Sequence, residues 1–260
     1  MSARRGAGPG KVWLVGAGPG DPELLTLRAH TLLTTAAVLA FDELVPSAIL
    51  SLAPDGAERI PVGRRAKGCR HHEARIHPLV VERALQGKDV VRLKGGDPLV
   101  FGRGGEEAAE LAAQGIPFAI VPGITAALGA AASVGIPLTH REHASMVTFA
   151  TAHAAGSEDG LTPLHDRALD VPPHGTLVFY MGLARLEPTC ATLIERGRPA
   201  GTPAAVISQA TLPGERVVFG TLADIAARAR DAAIEAPAIL IVGEVVAQAF
   251  ACSLPGSSRV

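Results

Sequence analysis

In residues 91–107 an apolar stretch suited to a buried strand leads into two glycine pairs, and an acid, a base and a proline lie between these pairs. Gly95 and Gly96 precede Asp97, and Arg103 precedes the second glycine pair. Glycine permits sharp turns and close approach of the backbone to a bound molecule. Asp97 can accept hydrogen bonds and Arg103 can bind an anion, chemistry that a plain strand-to-helix connection does not need. The segment therefore predicts a ligand-binding loop.

A second glycine-rich turn, residues 16–22, comes close to a dinucleotide-binding motif. That motif is GxGxxG at the start of a helix, but here the third glycine, Gly20, comes one residue early and Asp21 occupies the sixth place. Asp21 before Pro22 instead predicts the N-cap of the following helix. Asp42, about 20 residues further on, keeps a nicotinamide or flavin enzyme open as a weaker interpretation. The glycine-lysine-Ser/Thr ending of a phosphate-binding P-loop is missing.

The composition favours an α/β protein of two lobes. The chain has 260 residues, 48% of them hydrophobic, with one Trp and one Tyr, so we expect a core of aliphatic side chains between helices and sheet. A net charge of -1 gives no overall field that attracts nucleic acid or an anionic membrane. Cys69, Cys190 and Cys252 are far apart and form no CxxC pair, which disfavours disulfides and a zinc site. Without a signal-peptide or membrane-spanning run, we expect a cytoplasmic protein.

Strand-like and helix-like runs alternate along the chain. We predict a flexible N-terminus over 1–11, lobes over 12–121 and 122–248 with a hinge at Pro122 and Gly123, and a loose tail over 249–260. In the first lobe, predicted strands 12–15, 37–41, 59–62, 90–93 and 118–121 alternate with predicted helices 22–34, 75–86 and 106–114, an order that implies a parallel or mostly parallel sheet. In the second lobe, strands are predicted over 146–150, 176–180, 204–207, 216–219 and 238–242, and helices over 125–134, 186–196 and 222–233, with an exposed connection over 154–173.

Several strings resemble uroporphyrinogen-III C-methyltransferases of the tetrapyrrole methylase family, in the same order along residues 12–246. They are residues 15–27, 91–107, 121–125, 135–141, 178–182 and 242–244. The GAGPGDP turn is shared by the wider group, whereas the string GGDPLVFGRGGEE is much more specific to this member. The resemblance implies a two-lobed tetrapyrrole methylase fold with the active site in the cleft between the lobes, in a homodimer.

The activity that the resemblance implies is methyl transfer from S-adenosylmethionine to two ring carbons, C2 and C7, of uroporphyrinogen III. The products would be precorrin-2 and S-adenosylhomocysteine, on the route to siroheme and cobalamin. A sulfonium methyl group is already activated, so we expect no metal, and no ligand-spaced His/Cys cluster stands out in the sequence. Carried over by resemblance, the cofactor contacts are Pro19, Gly95, Gly96, Asp97, Val100, Thr125, Ala126, Met181 and Ala210. For Met181 alone, core packing is the ordinary explanation.

The acceptor side of the implied site combines one acid with several cations. Asp42 matches the proposed general base, which takes the proton that leaves the ring after methylation; alternatively it caps a helix over 45–50. The carboxylates of the substrate call for cations, for which we take Arg65, Arg103 and Arg141. Arg65 lies in a basic stretch that alternatively forms a solvated face, with Arg64, Lys67, Arg70, His71 and His72.

This stretch departs from the family pattern at Arg64, Lys67, Cys69, Glu73 and His77. The family has a lysine, proposed as a proton donor, where Arg64 stands. Arginine hardly deprotonates, so in a catalytic role Arg64 would bind a carboxylate or stabilise charge. Two alternatives stay open: a C-methyltransferase of another precorrin or an indole-like ring, and a cofactor-binding module without turnover. No dehydrogenase or chelatase extension accompanies the matching strings, so we expect a methyltransferase alone.

Overall fold

A computed structural model of the protein describes residues 8–62, 76–152 and 174–250 and the backbone of Ser258–Arg259. The chain divides into two compact units, Met1–Thr125 and Ala126–Val260. The structure thus places the division after Thr125, a few residues beyond the predicted hinge. The basic stretch up to Glu73, the connection 154–173 and most of both termini lie outside the described residues.

The first unit is a parallel α/β sheet with helices on both faces. Its elements are β1 (Val12–Gly16), α1 (Leu27–Thr34), β2 (Val38–Phe41), α2 (Ser47–Leu50), β3 (Glu58–Pro61), α3 (Pro78–Leu85), β4 (Val90–Lys94), α4 (Gly104–Ala113) and β5 (Phe118–Val121). The described strands pair in the order β3-β2-β4-β1-β5, all in parallel. The predicted parallel sheet is confirmed, and the carboxyl ends of its strands meet at one edge.

The two faces of this sheet bury separate sets of apolar side chains. On one face, Leu14 of β1 packs in a cluster with Val80 of α3 and Leu111 of α4. On the other face, Leu93 of β4 packs in a cluster with Leu33 of α1, and α2 contributes to the same cluster. Side chains alternate along a strand, so alternate residues of β4 point toward α3 and α4.

One helix of the first unit is shorter than predicted. Residues 22–34 do not form a single helix: Pro22–Leu24 is a 3-10 turn, and α1 begins only at Leu27. Asp21 is the predicted N-cap, but of the short turn, where its side chain accepts from the backbone N–H of Glu23. Thr26 is extended and its hydroxyl accepts from Ala29 N–H, so this second cap starts a new helix.

The second unit has a mixed sheet. Its elements are α5 (Ala126–Ser133), β6 (Val147–Thr151), β7 (Thr176–Tyr180), α6 (Leu186–Glu195), β8 (Pro203–Ser208), β9 (Arg216–Thr221), α7 (Ile225–Asp231), β10 (Ala238–Val242) and β11 (Ser258–Arg259). The described order is β11-β9-β8-β10-β7-β6. The β6–β7 and β9–β11 pairs are parallel and the other three are antiparallel. The tail that the sequence predicts to be loose therefore supplies a short edge strand.

The core of the second unit lies between this sheet and two helices. Phe179 of β7 packs in a cluster with Leu193 of α6, Ile225 of α7 and Val206 of β8. Within the described residues, no helix is both long enough and apolar enough to cross a membrane.

Candidate functional site

Three loops of the first unit meet at glycines where β1, β4 and β5 end. A Cβ on Gly16 would lie 2.6 Å from both the Gly123 Cα and the Gly96 carbonyl oxygen. A Cβ on Gly123 would lie 2.9 Å from the Gly16 Cα and would also strike the Gly96 oxygen. Gly96 has a φ of 65°, a value that favours glycine. These backbones touch, so no larger residue fits at Gly16 or Gly123.

The two glycine-rich turns are also tied by hydrogen bonds. Gly18 and Gly96 exchange backbone hydrogen bonds, with N–H to O distances of 3.1 and 2.8 Å, and Ala17 N–H donates to Lys94 O at 2.7 Å. Pro19, a predicted cofactor contact, follows Gly18 in this bridge and is half-buried. The turn of residues 16–22 and the loop after β4 therefore form one rigid surface at the carboxyl edge of the sheet.

Asp97 fastens this surface to the loop after β5. Its Oδ1 accepts from the Leu99 N–H at 2.8 Å, and its Oδ2 accepts from the Gly123 N–H at 3.0 Å. The sequence predicts that Asp97 accepts bonds from a cofactor; in the structure each of its oxygens already accepts a backbone N–H. Asp97 thus positions two loops whatever else it contacts. Thr125, predicted to contact the cofactor, is buried at the end of the second of these loops.

The loop between β4 and α4 is strained and presents apolar side chains. Phe101 and Arg103 have φ of 53° and 58°, values that side-chain-bearing residues rarely adopt. Phe101 and Leu99 are exposed, and Val100 between them is half-buried. Arg103 is the N-cap residue of α4, and its half-exposed side chain faces Glu106, with 3.8 Å from Nε to Oε1. Such strain persists where the surroundings hold it, often at a ligand site.

A buried charge cluster lies behind this edge and consists of Asp42, Arg92, Lys94 and Glu107. Arg92 Nη2 donates to Asp42 Oδ1 at 2.6 Å and to Glu107 Oε1 at 2.9 Å, and Arg92 Nε donates to the same Glu107 oxygen at 3.1 Å. Lys94 Nζ lies 3.0 Å from Glu107 Oε2 and 3.9 Å from Asp42 Oδ2. The side chains of Arg92, Lys94 and Glu107 are 5, 4 and 8% exposed, whereas that of Asp42 is 30% exposed.

Asp42 follows β2 and is the member of the cluster that reaches solvent. The alternative that it caps a helix over 45–50 is wrong: α2 begins at Ser47 after Pro46, with no side-chain capping bond. The Asp42 carboxylate instead binds Arg92. Burial, and then the charge of Arg92, lower the pKa of Lys94, while the two carboxylates act in the opposite direction. His77, the N-cap of α3, has its pKa lowered by burial and by Arg92.

In the second unit, predicted cofactor contacts follow strands that end at one edge of the mixed sheet. β7 and β8 both pair antiparallel with β10, so Met181 and Ala210 come after strand ends at the same edge. Met181 has a φ of 54° and is 49% exposed. The neighbours of Ala210, Gln209 and Thr211, have φ of 49° and 67°. An exposed, strained methionine is not a core residue, so core packing does not explain Met181.

Ala126, the remaining predicted cofactor contact, begins α5 of this unit. The backbone N–H of its neighbour Ala127 donates to the Tyr180 hydroxyl at 3.1 Å, which brings the start of α5 to the end of β7. Ala126 and Met181 are the chain neighbours of these two bonded residues, so they lie close together in the second unit.

Residues 11–226 match the family described as tetrapyrrole (corrin/porphyrin) methylases. The chain belongs to this family. A siroheme synthase of Azotobacter vinelandii is 52% identical over an alignment of 250 positions, which covers 93% of this chain and 52% of that protein. The chain thus spans about half the length of the curated relatives it matches.

Solved structures of tetrapyrrole methylases cover nearly the whole chain. The native uroporphyrin-III C-methyltransferase of Thermus thermophilus is 40% identical, with a TM-score of 0.77, over 92% of this chain and all of that one. The Thermus thermophilus enzyme in complex with S-adenosylhomocysteine is 39% identical, with a TM-score of 0.74, over 91% of this chain and 93% of that one.

Not every predicted site residue of this tetrapyrrole methylase can be placed. Arg64 and Arg65 lie outside the described residues, as do Lys67, Cys69, Arg70, His71, His72 and Glu73. Arg141 is exposed, in a turn of the second unit. His77, whose position departs from the family pattern, lies within hydrogen-bonding distance of Leu79 N–H, at 3.3 Å, and caps α3.

The turn that contains Arg141 also gathers metal-ligand types that the sequence analysis missed. Potential ligand atoms of His140, Glu142 and His143 lie within 4.8 Å of one another. However, His140 Nδ1 accepts from the Glu142 N–H at 3.2 Å, and His140 and Ala144 exchange backbone bonds. The Nδ1 atom of His140 is therefore already used within the turn. We assign this cluster to closure of the turn.

The sequence analysis also overlooked three members of the buried charge cluster. Arg92 and Lys94 stand two residues apart in a stretch predicted to be a buried strand, so both fall on one face of it. Buried charges require partners. The partner, Glu107, ends the most specific string of the family resemblance, so the signal was present in the sequence.

Proposed function

We propose that this chain is an S-adenosylmethionine-dependent C-methyltransferase that methylates uroporphyrinogen III at C2 and C7 to give precorrin-2. The observation that carries the proposal is the glycine-packed carboxyl edge of the parallel sheet, the place where open α/β sheets bind ligands. The likeness to methyltransferases of this substrate, one with S-adenosylhomocysteine bound, supports it. The siroheme synthase relatives support a place in siroheme formation.

Gly95 fits a site for S-adenosylmethionine. Unlike Gly16 and Gly123, it is exposed, and among the described atoms a Cβ there would meet only Leu44 Cβ, at 3.9 Å. Packing among the described residues therefore does not require glycine at this position. A bound molecule that touches the backbone would require it, since a methyl group would fill the same space.

Each unit contains predicted cofactor contacts. In the first unit they are Pro19, Gly95, Gly96, Asp97, Val100 and Thr125, on loops that the glycine contact and Asp97 keep rigid. In the second unit they are Ala126, Met181 and Ala210. When bound, S-adenosylmethionine supplies an electrophilic methyl group, so the protein needs only to orient the acceptor and remove a proton.

Asp42 is suited to the proton removal. Methylation leaves the ring system with a positive charge, so a C–H proton next to the cationic centre becomes acidic, and a carboxylate is a strong enough base to remove it. Asp42 reaches solvent, and Arg92 holds its carboxylate from the protein side. Arg103 and Arg141 are exposed cations that would bind the carboxylates of the substrate, together with Arg65 and Arg64.

The function is tested with labelled S-adenosylmethionine and enzymatically made uroporphyrinogen III. We expect two methyl groups per tetrapyrrole by mass spectrometry, and slower transfer by Asp42→Asn with nearly unchanged binding of S-adenosylhomocysteine. Transfer only to another precorrin or an indole-like ring would favour the alternative acceptor. Binding without any transfer would favour a non-catalytic module.

Gly95→Ala tests the cofactor site separately. We expect thermal stability like that of the parent chain and binding of S-adenosylhomocysteine weaker by tenfold or more. Gly105→Ala is the matched control, because a Cβ there meets no described atom within 4 Å. Equal affinities of the two variants for S-adenosylhomocysteine would contradict a cofactor position next to Gly95.

We also propose that the protein is a cytoplasmic homodimer whose product serves siroheme or cobalamin formation. The free, buried thiol of Cys190 is compatible with a reducing compartment. Light scattering of the purified protein tests the homodimer: a mass near 26.6 kDa would contradict it.

A further inference from the structure

The buried charge cluster contains equal numbers of positive and negative groups. Arg92 and Lys94 of β4 face Asp42, which follows β2, and Glu107 of α4. His77, on the helix packed beside α4 against the same face of the sheet, is close enough to Arg92 for its pKa to respond. A base placed here does not act alone, because its proton affinity depends on all the charges held around it.

Glu107 and Lys94 are the least exposed carboxylate and cation of the cluster, and they pair with each other at 3.0 Å. Glu107 also takes two donors from Arg92, the same guanidinium that holds Asp42 Oδ1. Lys94 Nζ faces the other Asp42 oxygen at 3.9 Å. Both residues therefore act on Asp42. Lys94 acts directly, and Glu107 acts through Arg92.

We propose that Glu107 and Lys94 are positioning residues that set the proton affinity of Asp42 for the deprotonation step. The inference rests on the proposed function, in which Asp42 is the base. In that step a C–H bond of the ring system next to the cationic centre breaks, its electron pair neutralises the cation, and the proton passes to the Asp42 carboxylate. Glu107 offsets one of the two cations, so the site does not repel the positively charged ring.

The proposal makes opposite predictions for two single variants. Glu107→Gln keeps an acceptor for Arg92 but leaves an excess positive charge near Asp42, which weakens its hold on a proton. The acid limb of the pH profile for single-turnover methyl transfer should move about one unit to lower pH. Lys94→Met leaves an excess negative charge and should move the same limb about one unit to higher pH.

The double variant restores the balance of charge. In Glu107→Gln with Lys94→Met, the acid limb should return to within about 0.3 units of the parent. Glu110→Gln is the control for the first change, because Glu110 lies on α4 and binds Ile76 N–H. Lys88→Met, half-exposed beside Glu58, is the control for the second. Both controls should leave the profile unmoved.

A second readout does not need turnover. The chain is labelled at the aspartate carboxyl carbon, and the NMR titration midpoint of Asp42, assigned with Asp42→Asn, is measured in each variant. The midpoints should move in the directions given for the acid limbs, with circular dichroism confirming the fold. If the parent transfers no methyl group, the proposed function fails while the midpoints still test the inference. Midpoints that stay still, or shift in the same direction in both single variants, would overturn it.

Discussion

The two units prepare a sheet edge for a ligand by different means. In the first unit every described strand is parallel, so the loops after β1, β2, β4 and β5 converge and lock through glycine contacts, Asp97 and buried charges. In the second unit the strands are mixed, and the edge is marked by left-handed backbone at Met181, Gln209 and Thr211. Strained residues occur in both units, with Phe101 and Arg103 in the first, but at the edge of the first unit the backbones are also packed against one another.

This difference indicates where each unit tolerates change. A locked edge fails when atoms are added, because there is no space and the backbones already touch. A strained edge gains stability when glycine replaces a strained residue, although the side chain at that position is lost. Stability and binding should therefore fall together at the packed glycines and Asp97 of the first unit, and separate at Met181 of the second.

Gly123→Ala should break the first edge most severely. The new Cβ would strike the Gly96 oxygen and lie 2.9 Å from the Gly16 Cα, so two loops must shift. We expect the free energy of unfolding to fall by about 3 kcal/mol, measured by urea denaturation. Gly105→Ala, with no described atom within 4 Å of its Cβ, should change it by less than about 1 kcal/mol. Similar losses in both variants would refute the lock.

Asp97→Ala should have the next largest effect, because two backbone N–H groups lose their acceptor. We expect a loss of about 2 kcal/mol in the free energy of unfolding. Calorimetry should show S-adenosylhomocysteine binding at least tenfold weaker. Asp97→Asn, which keeps one acceptor oxygen, should lose less of both; full stability in the alanine variant would mean that the loops do not depend on this carboxylate.

Met181→Gly should separate stability from binding in the second unit. Glycine adopts the φ of 54° without strain, so the free energy of unfolding should stay level or rise by up to about 1 kcal/mol. S-adenosylhomocysteine should bind several-fold more weakly, since the exposed side chain is gone. A parallel fall of stability and affinity would erase the contrast between the two edges.

The smallest expected effect is the chemical labelling of Cys190, which lies in the core of the second unit. Burial raises the pKa of its thiol to about 11, and the side chain is nearly inaccessible. The thiol is therefore protonated at pH 8, and iodoacetamide should leave the native protein unlabelled at this residue by peptide mass spectrometry. In urea the same peptide should react fully; rapid labelling of the native protein would mean that this core opens.

The strand pattern and the parallel first sheet could be predicted from the sequence because they depend on local alternation of apolar runs and helices. The break at Thr26 could not, since it arises when a hydroxyl caps Ala29 N–H and outcompetes a continuous helix. The antiparallel pairing of β10 with β7 and β8 in the second unit could not be predicted from the sequence either. Strand direction there depends on which strands become neighbours, a choice made by packing across the whole sheet.

The candidate site was predictable in its residue types but not in its connections. Glycine spacing indicated a turn at residues 95–96, yet only the fold shows that Gly96 is pressed between Gly16 and Gly123. Asp97 was predicted to face a ligand and proves to fasten two loops. The sequence pattern places Arg92 in an apolar strand, and periodicity cannot reveal its partner 15 residues away.

The contact of Gly16, Gly96 and Gly123 has a consequence for changing what this scaffold recognises. Three segments that are far apart in the chain touch at one point. The length and shape of each loop must therefore be chosen together with those of the other two. A loop transplanted alone from another protein would arrive with a backbone that the other two cannot receive. New specificity should be sought by exchanging all three together, or by altering only the side chains at their exposed rims.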